Sequence, residues 1–219
     1  MKKEFVVIGL GRFGGSIVSE LIDLDADVMA VDVKPSLVDD YADIATQAVV
    51  ADSTDESALK SLGIHNVDHV IVAIGENIQA SILTTLILKE LGVPKLTVKA
   101  QNDHHEKVLR KVGADKIVRP ERDMGIRVAN NVVSNNILDY LDLSDEHSIA
   151  EIHENGKIAG HTLIDLDIRA QYGINIVAIK RGPDILVSPQ ADEEIQKDDI
   201  LIVIGSDLDI HNFEKKLFH

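Results

Sequence analysis

Three glycines in Gly9-Leu10-Gly11-Arg12-Phe13-Gly14 follow an apolar run and open a stretch of helical spacing, the setting in which G-x-G-x-x-G binds a pyrophosphate. Gly9 permits a tight turn, Gly11 lets backbone approach phosphate, and Gly14 lets helix and strand pack closely, while the free amides of the helix start attract the anion. Asp32 ends the second apolar run, where a carboxylate accepts hydrogen bonds from both ribose hydroxyls and repels a 2′-phosphate. NADP is therefore disfavoured, whereas NAD, ATP and ADP present the same adenosine half. The simpler role for Asp32 is to cap the next helix, with Ser36 nearby.

Arg12 falls in the first helical turn, where the dipole is already positive, so a guanidinium there suits a ligand richer in phosphate; a solvated arginine is the plainer alternative. Asp52-Ser53 follows the third run beside the Asp32 edge and could read an adenine amino group, or could belong to a helix cap. Lys99 and, further on, His105 stand where the fifth run ends and could meet phosphate. His104 and His105 point about 100° apart on a helix, which argues against a bidentate metal pair. Glu121 reads most simply as a first-turn acid, and a phosphate-facing role would need a cation between the two anions.

These residues need a scaffold that presents them along one edge. Apolar runs at 5–8, 28–31, 48–50, 70–74, 96–98 and 117–118 alternate with helical stretches, so residues 1–138 read as an α/β, Rossmann-like, doubly wound parallel sheet. Residues 122–143 read as one helix with apolar side chains on more sides than one stripe can hold, pointing to cover by a second subunit; a helix sandwiched within its own domain is the plainer alternative. Asp142, Asp145 and Glu146 mark a linker at 139–148. Residues 149–219 then read as a small α+β lobe: a strand, a helix over 163–172, three strands and a final helix.

Composition narrows the function further. Against 22 basic residues stand 37 acidic ones in a chain of 219, a formal charge of −15, which disfavours nucleic acid and anionic lipid. Residues 139–219 are the more acidic part, with 7 basic and 17 acidic side chains. No cysteine is present, so disulfides, thiol nucleophiles and thiolate metal sites are excluded. Apolar runs such as 70–74 and 200–204 are far shorter than the ~18 to 20 residues that cross a bilayer. Glu4 and Arg12 interrupt the resemblance of the first residues to a secretory signal, so a cytoplasmic location is expected. No catalytic constellation accompanies the glycine turn, which favours a sensor over a hydride-transfer enzyme.

Taken together, residues 7–15, Asp32, Ala51-Asp52-Ser53-Thr54, Lys99-Ala100-Gln101-Asn102 and Pro120-Glu121-Arg122-Asp123-Met124-Gly125 resemble the RCK/KTN family, and within it the KtrA-type cytosolic regulators of Ktr potassium-uptake systems. The tail resembles the family's C-terminal RCK lobe. The resemblance implies a non-enzymatic ATP- or ADP-binding subunit, assembled as dimers into an octameric ring, cytoplasmic and peripheral to the membrane through a potassium-translocating partner. NAD(H) binding among relatives leaves open a small NAD-dependent oxidoreductase or NAD(H) redox sensor as the alternative.

By the same resemblance, Gly9, Gly11, Arg12, Phe13 and Gly14 meet the phosphates, Asp32 the ribose and Asp52-Ser53 the adenine. Ile74, Gly75 and Glu76 flank the nucleotide; Lys99, Ala100, Gln101 and His105 form its far wall; Glu121 holds Mg²⁺ or Na⁺. Ala51 stands where many relatives have glycine and would restrict backbone approach. Related regulators bind cyclic di-AMP between two C-terminal lobes, which similarity places at Arg169, Ile174, Asn175, Ile176 and Pro189. The alternative there is a core strand carrying Ile174 and Ile176 beside a solvated Arg169.

Overall fold

The computed structural model describes residues 2–133, 137–144 and 146–218, which form two compact units, Met1–Pro120 and Glu121–His219. In the first, six strands alternate with helices: β1 (Glu4–Ile8), α1 (Arg12–Asp23), β2 (Asp27–Asp32), α2 (Pro35–Asp39), β3 (Gln47–Val50), α3 (Glu56–Ser61), β4 (His69–Val72), α4 (Ile78–Glu90), β5 (Leu96–Lys99), α5 (Asp103–Val112) and β6 (Lys116–Val118). The sheet is parallel throughout, in the order β3-β2-β1-β4-β5-β6.

Burial explains why these strands read as continuous apolar runs. Val6 and Ile8 of β1 pack with Leu59, Leu88 and Leu109 from α3, α4 and α5, whereas Val7 packs with Val18 and Val38 from α1 and α2. Both faces of the sheet are covered, so neither set of alternating positions can be polar. The strand order reverses between β1 and β4, and the carboxyl ends there open the crevice in which doubly wound sheets hold ligands. Helix punctuation follows the side chains: Asp55 caps α3 by accepting the Ser57 and Ala58 amides, Asn77 caps α4, Asn102 caps α5, and Gly113 ends α5 at φ 104°.

The second unit holds α6 (Pro120–Val133), β7 (Ile137–Asp142), β8 (His147–His153), α7 (Leu163–Leu166), α8 (Ile168–Tyr172), β9 (Asn175–Arg181), β10 (Asp184–Val187), β11 (Ile200–Ser206) and α9 (Asp207–Phe218). Its antiparallel sheet runs β10-β9-β11-β8-β7 over a core that includes Ile152, Ile174, Leu201 and Phe213. The buried charge of Asp199 is met by Arg181, which also reaches Glu193.

Three expectations change here. The segment 122–143 is not one helix: α6 ends at Val133, and 137–142 is a strand paired with β8, Leu141 opposite Ile149. Local apolar spacing fits either element, and the partner strand decides. Residues 139–142, read as linker, are thus part of the sheet, while Asp145 lies outside the described residues. The expected helix at 163–172 is two short helices, broken at Asp167, which takes φ 41°.

Candidate functional site

At the end of β1 the chain turns through Gly9 at φ +95°, a conformation that L side chains rarely adopt, and a Cβ there would lie 3.0 Å from the backbone of Ala73 and Ile74 beyond β4. A Cβ on Gly14 would sit 1.8 Å from the Gly9 carbonyl oxygen, so turn and helix interlock with no room for a methyl group. Gly11, the N-cap of α1, differs: its Cβ would meet nothing within 4 Å. No side chain caps α1 and no acid occupies its first turn, so its first amides have no side-chain partner within the helix.

Asp32, half-buried at the end of β2, braces this turn. One carboxylate oxygen accepts the Leu10 amide at 2.7 Å and the other the Lys34 amide at 2.8 Å, and each oxygen keeps a lone pair for a further donor. Asp32 does not cap α2, whose N-cap is Lys34. Next along the edge, Asp52 accepts both the amide and the hydroxyl of Thr54, which hold its carboxyl below the usual range. The cap of α3 is Asp55, so neither Ser53 nor Thr54 has that task. Ala51 packs against the core, and its amide donates to the Asp32 carbonyl.

At the end of β5, Lys99 is 8 % exposed and its Nζ lies 5.5 Å from the centre of the Phe13 ring, close to Gly75. Arg12 is exposed and turns elsewhere: it lines a cavity of about 430 Å³ with Ser16, Ser19, Glu20, Asp23 and Tyr41, to which Asp32 and Lys99 do not contribute. The two cations therefore stand apart around the start of α1. His105 is buried, with Nδ1 accepting the Gln101 amide at 3.3 Å, so a neutral ring carries its proton on Nε2, a buried atom with no hydrogen-bond partner. Burial pushes its pKa down. Glu76 and Gln101 are exposed, Ile74 and Gly75 partly so, and Ala100 is buried in the core.

A TrkA-N domain model matches residues 5–120 and a TrkA-C domain model residues 147–217. Over 219 residues the sequence is 68 % identical to Ktr system potassium uptake protein C of Bacillus subtilis (strain 168), covering 100 % of this chain and 99 % of that protein. This chain belongs to the Ktr family. Identity to Ktr system potassium uptake protein A of the same organism is 51 % over 214 residues, covering 98 % of this chain and 96 % of that one. The fold of a Ktr-family chain is shared with the structure described as the GsuK channel bound to NAD, at a TM-score of 0.70 and 16 % identity, where this chain spans 40 % of the channel's length. The resemblance to the RCK/KTN family is confirmed by these matches.

In the second unit of this Ktr-family chain, Glu121 and Asp123 occupy the first turn of α6, where their charge favours the helix dipole. No group of three or more His, Cys, Asp or Glu placed to hold a metal ion occurs among the described residues. Arg169 and Asn175 are exposed, Ile176 and Pro189 partly buried, and Ile174 wholly buried in the core, where a Cβ on Gly205 would come within 2.6 Å of it. Ile174 is thus a core residue, and no ligand-facing wall is built from it within this chain. No helix among the described residues is long and apolar enough to cross a membrane.

Sequence reasoning missed two supports of the site. Tyr41 presses its hydroxyl against Gly15, so close that a Cβ would lie 2.2 Å away. Thr84 of α4 bonds Ser53 across 31 positions. Three buried hydroxyls on an apolar helix, Ser81, Thr84 and Thr85, are the signal that could have drawn attention to the second.

Proposed function

We propose that this chain is the nucleotide-sensing regulatory subunit of a Ktr potassium-uptake system, binding ATP or ADP at the start of α1 and controlling a membrane potassium translocator. The observation that carries this reading is the uncapped, acid-free N-terminus of α1 with Lys99 on one side and Arg12 on the other. Asp32 would take the ribose, Asp52 and Ser53 the base, and the His105 Nε2 proton a phosphate oxygen. Phosphate count then becomes the sensed variable: a ligand that recruits Arg12 favours one arrangement of the ring, and one that does not favours another.

Assembly from dimers into an octameric ring is supported by apolar surface that a lone chain leaves to water. Met124, Ile126, Val128 and Val132 of α6 are all more than 40 % exposed, as are Leu138 and Leu141 of β7. Glu121 would supply one carboxylate ligand to Mg²⁺ or Na⁺, hard cations that take oxygen donors. Cyclic di-AMP is assigned to the C-terminal lobe at Arg169, Asn175, Ile176 and Pro189, where a guanidinium, an amide and apolar carbon lie near the surface.

Calorimetric titration with ATP, ADP, NAD and NADH, together with light scattering, tests the proposal. Tightest binding of ATP or ADP with a nucleotide-dependent change in the assembly is expected. If NADH bound tightest and was oxidised by small carbonyl compounds, the oxidoreductase reading, which shares the glycine turn and Asp32, would replace it.

A further inference from the structure

Thr84 departs from the habit of its neighbour. Thr85 donates its hydroxyl to the carbonyl of Ser81 one turn back, the usual recourse of threonine inside a helix. Thr84 instead donates out of α4 to the Ser53 carbonyl at 3.2 Å, and its Oγ1 lies 2.8 Å from the Ser53 Oγ. A hydroxyl has one hydrogen. With the Thr84 hydrogen directed to the Ser53 carbonyl, the short contact between the two hydroxyls must be closed by the Ser53 hydrogen. Ser53 Oγ is then left as an acceptor only. Both residues are buried, Thr84 fully and Ser53 to 7 % exposure, so water cannot easily scramble the arrangement.

Neighbouring Asp52 is also an acceptor, its ionised form favoured by the Thr54 bonds. Ser53 lies just past the point where β3 runs beside Asp32, with Val50 opposite Asp32 in register. We infer that Thr84 is a positioning residue that fixes Ser53 Oγ as an acceptor and so selects a purine bearing a 6-amino group over one bearing a 6-keto group. This rests on the proposed placement of Asp52 and Ser53 at the base. An exocyclic amine supplies the hydrogens that two acceptors need, whereas a 6-keto oxygen would face them with another acceptor and leave polar atoms unpaired.

The experiment measures ATP and inosine triphosphate, which differ at this position, against the full-length protein and three variants. Wild type is expected to bind ATP roughly tenfold or more tightly than inosine triphosphate. Thr84→Val frees the Ser53 hydrogen, and the ratio should fall to about threefold or less, with part of the change a gain for inosine triphosphate. Thr84→Ser, which retains the hydroxyl, should restore the wild-type ratio. Ser53→Ala removes the acceptor without touching α4 and should also lower the ratio, an independent route if the buried Thr84→Val variant fails to fold by circular dichroism. Equal affinities in wild type would overturn the inference while leaving nucleotide binding intact. Proportional loss of both ligands in a folded Thr84→Val variant would overturn it too, since a purely structural role changes both alike. Binding of neither triphosphate by wild type would remove this inference and the proposed function together.

Discussion

The first turn of α1 and the first turns of α3, α4 and α5 are built from one sheet by opposite means. Asp55, Asn77 and Asn102 fold back on the amides of their own helices, satisfying donors that would otherwise be left open. The start of α1 has glycine in that place and no acid behind it. The three capped starts stabilise the lobe; α1 leaves its donors open, and the short α2 also lacks a side-chain cap but begins with Pro35, which has no amide to satisfy. The proposed nucleotide site is thus a helix end denied its own cap.

Gly14→Ala should break the comparison most severely. The added methyl group collides with the Gly9 backbone, and a loss of about 3 kcal/mol or more in unfolding free energy is expected, with ATP and ADP binding lost together. Gly11→Ala sharpens the contrast two residues away. Its Cβ meets only open space at an ordinary φ of −64°, so thermal stability should hold within about 1 kcal/mol while affinity for either nucleotide falls at least tenfold in calorimetry. An intact affinity would mean that phosphate does not approach Gly11.

Arg12→Ala should reduce the preference between ATP and ADP by about tenfold while adenosine affinity is retained, since an exposed guanidinium contributes through added phosphate charge. Equal losses for both nucleotides would contradict that role. Asp55→Ala, at a capped start, should cost about 1 kcal/mol of stability by chemical denaturation and leave nucleotide affinity unchanged.

The smallest expected effect is on pH dependence. Burial depresses the pKa of His105, and of His69, below the usual 6.5, so as pH falls through 6.5 the unfolded chain takes up protons that the folded chain refuses. Stability should therefore decline on acidification across the window beneath 6.5, and His105→Gln should flatten the decline in pH-resolved thermal melts.

The parallel lobe was legible because its signals are local. Apolar strands and intervening helical spacing each occupy a few consecutive residues, and the sheet formed from the expected runs. The glycine turn and Asp32 were legible for the same reason. Less legible was the stretch after Val133: Ile137 and Leu141 fit a helical stripe as well as a strand, and only β8 pairing beside them makes the strand. Ile174 and Ala100 likewise occupy candidate positions whose side chains the core takes up.

Residue order alone determined the fold of the first lobe, the helix end left without a cap, and the acidic character that disfavours nucleic acid, because spacing, glycine content and charge are read directly along the chain. Tertiary structure decided which way Arg12 turns, that Lys99 lies against Phe13, that Ile174 is withdrawn into the core, and that the hydroxyls of Thr84 and Ser53 meet. Those contacts join residues far apart in the chain. Their partners are chosen by the packing of whole elements, which no local pattern encodes.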